Sequence, residues 1–343
     1  MAKRVTIAHV AEQAGVSTGT VSAVINSRPT VRPETRARVL RAIDALGYQP
    51  SASAQRMGRG LSASPPCIGI VVKEIDNPFY AEVVKGASTV LDARGSVPLV
   101  CLSDGDFEKE GLVINSLRGR DVQGVIVAPV LDTRADLSHL FLLRRSGFPF
   151  VLLERVEGLM TNVVSVDNAA AEREAVRYLL GIGHERIVHF AGPTYTKHSR
   201  DRQLGFETSF SQTALRLEEG AVVPCGPRFE DGYRTGLEYF RALEDDPPTA
   251  VACFNDLVAL GLMRALSELG LDVPGDVSVV GFDDVPAATQ TAVPLTTVSV
   301  PKREMGARAA QIILDQCEDR IDAPASVTLE ATLEVRATTS PPR

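Results

Sequence analysis

The chain has 343 residues, 44% of them hydrophobic and 23% charged, which supports a sizeable core in roughly two to three domains and excludes a disordered or low-complexity chain. Its net charge of -7 is unevenly spread: residues 1–60 hold nine Lys/Arg against three acids, or +6, which leaves -13 on the remainder. A basic head on an acidic body suggests a head that meets a polyanion and a body that repels one. No run of about eighteen apolar residues occurs. The longest uncharged run, Val285 to Pro301, is broken by prolines and threonines, so no membrane span is expected. Met1-Ala2-Lys3-Arg4 leads into no apolar segment of the kind export requires. Five cysteines (67, 101, 225, 253 and 317) are odd in number, with no Cys-x-x-Cys pair. Four of them sit inside or beside apolar runs and read as small hydrophobes in a reducing cytoplasm, and no metal or other cofactor is expected.

In chain order, residues 6–46 predict three short helices. Thr6 is a candidate N-cap for Ile7 to Gln13, with His9 or Val10 in the first turn. Ala14-Gly15-Val16 is a tight turn whose glycine is free to take positive φ. Ser17 caps a second helix running to Asn26, and Pro33 stands at the first position of a third, Glu34 to Leu46, which Gly47 ends. Val10, Ala11, Val16, Val21, Val24, Val39, Ile43 and Leu46 keep helical spacing and make one miniature core. Two helices joined by a glycine turn form the helix-turn-helix pattern. Residues 51–57 are too short for a stable isolated helix, and Gly58 to Pro66 reads as a linker.

From Cys67 onward, strands and helices alternate. Apolar strand runs are 68–72, 97–101, 124–127 and 149–153, then 186–190, 221–223, 250–254 and 277–281, with helices such as 79–93, 169–180 and 256–269 between them. Two successive sets of β-α units predict two doubly wound lobes with parallel sheets. Ligands of such sheets sit beyond the carboxyl ends of the strands, so a cleft between the lobes is the expected pocket. A strand at 295–298 and a helix at 302–316 follow.

The segment from Val5-Thr6-Ile7-Ala8-His9-Val10-Ala11-Glu12-Gln13-Ala14-Gly15-Val16-Ser17 to Val24-Ile25-Asn26 resembles the DNA-binding head of the lactose-repressor (LacI/GalR) family. The similarity continues through Thr35-Arg36 and Gly47-Tyr48-Gln49-Pro50 to Met57, and then over nearly the whole chain. The fold it implies is α/β: an N-terminal helix-turn-helix domain (1–50), a hinge helix and linker (51–66), and a two-lobed periplasmic-binding-protein-like core (67–343). In that core, lobe one takes about 67–164 plus 294–325 and lobe two about 165–293 plus 326–337. The strand at 295–298 would then return to the first lobe and the tail to the second.

By the same resemblance, helix 17–26 enters the major groove with Thr18, Gly19 and Ala23 at the base-reading positions. Here the chain departs from the family, because the third position is commonly Arg and Ala23 offers only a methyl group. Ser17, Thr20, Ser22, Asn26 and Thr35 carry short polar groups suited to phosphate contacts, the plain alternative being helix capping. Thr6, Tyr48 and Ala54 are also expected at the DNA. Met57 takes the place of the apolar side chain that wedges into the minor groove, where leucine is more usual.

In the cleft, the resemblance gives Phe79 and Phe229 as aromatic walls, Arg202 as a basic clamp, and Asn255 and Asp283 as hydrogen-bonding ends of adjacent strands. This set suits a polyol. The plain alternative for Asn255 and Asp283 is capping, and for the two phenylalanines a core role. His198 is expected at the surface and Lys73 solvated. The implied function is a transcriptional repressor, not an enzyme, controlled by a small-molecule effector that is a sugar or sugar derivative. The alternative is a corepressor-dependent regulator of a non-sugar metabolite such as a nucleobase. The implied partners are pseudo-palindromic double-stranded operator DNA, the effector and a second copy of the chain, in the cytoplasm at the nucleoid, with no membrane. The C-terminal segment has no leucine heptads to tetramerise it.

An enzyme is the main rival. Gly15-Val16-Ser17-Thr18-Gly19 matches the nucleophile-elbow pattern, but it joins two predicted helices rather than following a strand. No P-loop, dinucleotide fingerprint or His-Glu-x-x-His is present, and Asp104-Gly105-Asp106 lacks the spaced ligands of a calcium loop.

Overall fold

The computed structural model describes residues 6–25, 31–46, 48, 65–120, 122–132, 136–194, 196–243, 247–320 and 323–343. The Asn26, Ala54 and Met57 assignments, the Gly47 cap and the expected hinge helix lie outside the described residues.

The head contains α1 (Ile7–Ala14), α2 (Thr18–Ile25) and α3 (Pro33–Leu46). Thr6 is extended ahead of α1 and its backbone N–H donates to His9 Nδ1 at 3.0 Å, so the imidazole supplies the acceptor that a Glu or Gln gives in a capping box. Gly15 ends α1 at φ 60°, in the left-handed region the turn requires. Ser17 Oγ then accepts the Thr20 N–H at 3.2 Å and caps α2. Val10, Val21 and Val39, one from each helix, are fully buried and centre the miniature core.

The first lobe is a six-stranded sheet, all parallel. It holds β1 (Cys67–Val72), β2 (Val97–Leu102), β3 (Val122–Val127), β4 (Phe150–Leu152), β5 (Asn162–Val166) and β11 (Ser326–Leu329), in the order β11-β5-β4-β3-β1-β2. Helices α4 (Pro78–Ala93), α5 (Phe107–Arg118) and α6 (Ser138–Ser146) connect its strands. The second sheet holds β6 (Ile187–Ala191), β7 (Val222–Pro224), β8 (Ala250–Cys253), β9 (Ser278–Asp283), β10 (Thr296–Ser299) and β12 (Thr332–Glu334), in the order β12-β10-β9-β8-β6-β7. Only β12 runs antiparallel to its neighbour. Its helices are α7 (Asn168–Gly181), α8 (Lys197–Ser209), α9 (Phe229–Ala242) and α10 (Asp256–Glu268), while α11 (Lys302–Cys317) packs on α4. The near-continuous apolar strands are those of sheets covered on both faces.

One expectation is corrected. The strand at 296–299 does not return to the first lobe: it pairs parallel with β9 in the second sheet. The connection from β9, residues 284–295, is about the dozen residues that a parallel crossover needs, so both strands stay in one sheet. Buried hydrogen bonds fix it there: the Thr296 N–H donates to Thr338 Oγ1 at 2.8 Å, and Thr297 Oγ1 donates to the Asp256 carboxyl. The following helix α11 lies in the first lobe, and β11, expected in the second, pairs with β5 of the first. The chain therefore crosses between sheets three times, at 166–168, 299–302 and 329–332. An apolar cluster runs across these crossings, from Ile68 and Ile126 through Val300 and Met305 to Phe206 and Phe282.

Candidate functional site

Between the lobes lies a cavity of about 300 Å³, at the low end of the range for small-molecule sites. It is built where the sequence pattern placed it, at the carboxyl ends of strands: Lys73 follows β1, Ala128 follows β3, Leu153 and Glu154 follow β4, Phe254 and Asn255 follow β8, and Asp283 ends β9. The amino-terminal turns of α4 and α8 add Phe79 and Tyr80 on one side and His198 and Arg202 on the other. Asn77 Oδ1 accepts the Phe79 N–H at 3.0 Å with Pro78 at the first helical position, so a local cap fixes where α4 starts and where Phe79 stands.

Arg202 is the most heavily engaged group. Its guanidinium donates to Asn168 Oδ1 at 3.0 Å, to the Phe254 carbonyl at 2.6 Å and to Asp283 Oδ1 at 3.2 Å. It also lies 3.6 Å from the centroid of the Phe282 ring, a cation–π contact in a desolvated setting. Arg202 and Asp283 are both buried. Burial raises the Asp283 carboxyl, and the Arg202 and Lys302 cations oppose it. A charge pair with hydrogen-bonding capacity left over, set beside aromatic surface, is suited to orienting hydroxyl groups.

Four expected ligand residues (Phe79, Arg202, Asn255 and Asp283) line the cavity. Asn255 is also a helix cap: its Oδ1 accepts the Val258 N–H at 2.9 Å and its Nδ2 donates to the Pro227 carbonyl at 2.9 Å. The capping alternative thus describes Asn255 in part, whereas Asp283 faces Arg202. Phe229 is a correction. It begins α9 on the outer rim, 38% exposed, and the cavity wall there is Pro227. Phe254 supplies the second aromatic wall instead.

Two further expectations change. His198 is no surface group: it lines the cavity, stacks on Phe254 at 5.6 Å and 20°, and places Nδ1 3.5 Å from Glu154 Oε1. Lys73 is 6% exposed and lies 3.8 Å from Glu154. Burial pushes the His198 imidazole down to about 4, and the Lys73 cation adds to this. Burial also opposes ionisation of Glu154, but His198 and Lys73 outweigh it and hold the carboxyl low. The cleft is bridged by the His198–Glu154 contact and by Arg200, which donates to the first-lobe Leu131 carbonyl at 3.2 Å. Lys73, Lys197 and Arg202 each have a carboxylate partner, and Arg155 donates to Ser326 Oγ at 2.8 Å.

On the head, Thr18, Gly19, Ser22 and Ala23 share one face of α2, opposite the buried Val21 and Val24. Thr18 and Gly19 are exposed, and Ser22 and Ala23 are half-buried. Thr6 and Ser17 are exposed as well, and both are engaged at helix starts; Ser17 also pairs with Thr20 Oγ1 at 3.0 Å. Thr35 is half-buried on α3, and Tyr48 packs against the head core. Among the described residues no helix is long and apolar enough to cross a membrane.

Comparison with known proteins matches both halves of this architecture. Residues 6–51 match the bacterial regulatory proteins of the lacI family, and residues 176–339 match the periplasmic binding protein-like domain. The HTH-type transcriptional regulator DegA of Bacillus subtilis (strain 168) is 30% identical over 339 residues, 98% of this chain and 99% of DegA. The transcriptional regulator CelR in complex with cellobiose superposes with a TM-score of 0.72 at 30% identity, over 98% of this chain and 100% of that one. The lac repressor dimer bound to operator and an anti-inducer superposes with a TM-score of 0.69 at 26% identity, over 98% and 100% of the two chains. A helix-turn-helix head, two parallel sheets around a polar cleft and full-length similarity to named regulators lead to one conclusion: the chain is a DNA-binding transcription regulator of the LacI family.

Proposed function

We propose that this protein is a cytoplasmic repressor that binds a pseudo-palindromic operator as a twofold homodimer and is controlled by a neutral sugar or sugar derivative held between its lobes. The buried Arg202–Asp283 pair on the wall of the interlobe cavity carries this reading. Planar Phe79 and Phe254 line the same cavity, and its other polar groups include amides and carboxylates, Asn168, Asn255 and Asp167 among them, that can take hydroxyls. Of the structural relatives, CelR is solved with cellobiose and the lac repressor as a dimer on its operator, which favours a carbohydrate and a dimer here. At the DNA, Thr18, Gly19 and Ala23 of α2 read the major groove, with phosphate contacts from Ser17, Thr20, Ser22, Asn26 and Thr35, further contacts from Thr6, Tyr48 and Ala54, and Met57 wedged in the minor groove. Effector binding would shift the lobes and so the affinity for operator, and the effector's preference between states decides whether it induces or corepresses. The second reading, a flat non-sugar metabolite such as a nucleobase, is favoured by the His198–Phe254 stack alone.

The test is a thermal-shift series with cellobiose, D-ribose, other neutral sugars and free nucleobases. A sugar is expected to raise the melting temperature of the native chain, since a ligand at a hundredfold excess over its Kd adds about 2.7 kcal/mol. Asp283→Ala is expected to lose that shift and the effector response while still binding DNA. A response to nucleobases and to no sugar would overturn the carbohydrate assignment.

A further inference from the structure

The crossing at 299–302 carries a group that has no part in the DNA-binding head and does not line the cavity. Lys302, the first residue of α11, is 8% exposed, and its ammonium donates to the carbonyls of Val300 at 3.2 Å, Asp284 at 2.8 Å and Asp283. A buried ammonium is tolerated only when its donors are matched, and each of its three N–H bonds has an acceptor here. Two of those acceptors belong to the second-lobe turn that ends β9. There Asp283 and Asp284 take φ values of 109° and 57°. Left-handed backbone at two successive residues bearing a Cβ persists only where the surroundings hold it. Those surroundings are Lys302 on both carbonyls, Arg336 on the Asp284 carboxylate at 2.6 Å, Ser299 Oγ on the same carboxylate at 3.0 Å, and Arg202 on Asp283. The attitude of the Asp283 carboxylate in the cavity is therefore set in part from the first lobe.

On its other side, α11 is locked to α4, because a Cβ added at Gly306 would collide with the Val83 carbonyl. The first turn of α4 carries Phe79 and Tyr80, which line the first-lobe side of the same cavity. One buried cation thus ties the strand end bearing Asp283 to the helix pair bearing Phe79.

We propose that Lys302 is the coupling residue of the cleft: its ammonium makes the turn at 283–285 and the start of α11 move as one unit, so that ligand capture at Asp283 is felt in the first lobe. The proposal rests on the reading of the cavity as the effector site, but its test needs no ligand. Amide hydrogen exchange is followed in the full-length chain and in Lys302→Met, Lys302→Arg and Glu304→Gln. In Lys302→Met, exchange is expected to quicken by about tenfold or more in both 281–289 and 302–308, as loss of hydrogen bonds to a charged group implies, with β1 and β8 unchanged. Lys302→Arg restores protection in both segments, and Glu304→Gln, two residues along α11 with its carboxylate paired to Arg308 rather than to the turn, leaves 281–289 at the native rate. If Lys302→Met does not fold, Lys302→Gln replaces it. Unchanged exchange, or a response confined to one segment, overturns the proposal, as does failure of Lys302→Arg to rescue both. Coupled exchange in a chain that binds no sugar supports the coupling and counts against the carbohydrate reading instead.

Discussion

Glu172 on α7 and His189 on β6 lie below Arg202 with no water access, His189 Nδ1 being 3.5 Å from Glu172 Oε1. Burial pushes the Glu172 carboxyl up to about 8, and the nearby Asp256 carboxyl to about 8 as well, Asp283 adding to the latter. Acids that titrate higher in the folded chain give stability that is full below their unfolded values and is lost as pH rises through the folded ones. His189 works in the opposite sense: burial lowers it to about 4, so stability is lost as pH falls from 6.5 towards 4. Between pH 6.5 and 8 the two acids act without that opposition, and stability should decline. Denaturant unfolding across that window checks this, with Glu172→Gln expected to flatten the decline by up to about 1.4 kcal/mol per pH unit. An unaltered slope would mean that Glu172 is ionised in the fold. None of this was legible in the sequence, where an acid on a helix reads as solvated. Arg202 and Asp283 were legible because family resemblance places them by motif. His198, Lys73 and Phe254 were not, since their burial arises only when two lobes meet. Phe229 was misplaced because a helix start just beyond the rim and one just inside it look alike in one dimension.

At the scale of elements, the α4–α11 pair shows how a first-lobe wall is fixed. Gly86 and Gly306 let the two backbones touch: a Cβ at Gly86 would strike the Arg303 carbonyl, and one at Gly306 the Val83 carbonyl. Gly306→Ala gains helix propensity yet must force these helices apart, so a net loss of about 1–3 kcal/mol is expected in thermal unfolding. An unchanged or raised melting temperature would show that the pair has slack and would weaken its part in the coupling. The long apolar strands and most helix starts were readable to within a residue or two, since continuous Val/Ile/Leu runs, Pro at N1 and Asn or Asp caps are local signals. The strands β5, β11 and β12 are short and mix polar with apolar residues, so periodicity did not reveal them. The sheet to which β10 belongs was also hidden. Its Thr-rich sequence encodes a strand, while its neighbour is chosen by connection length and by Thr297 reaching Asp256.

Taken whole, the molecule divides its charge as it divides its work: +6 over residues 1–60 and -13 on the rest. In the proposed function DNA contact is confined to the head, and with Gly19 and Ala23 at the positions proposed to read bases there is little side chain for direct base recognition. Phosphate contacts should therefore supply most of the affinity, which makes binding steeply salt-dependent. The most direct measurement is a selection of genomic fragments by the purified full-length chain, with and without candidate sugars, repeated at rising salt and sequenced. The expected result is an enriched pseudo-palindrome whose half-sites are about one helical turn apart, lost steeply as salt rises and released or recruited by the sugar that raises the melting temperature. Recovery of no common sequence under any of these conditions would contradict it.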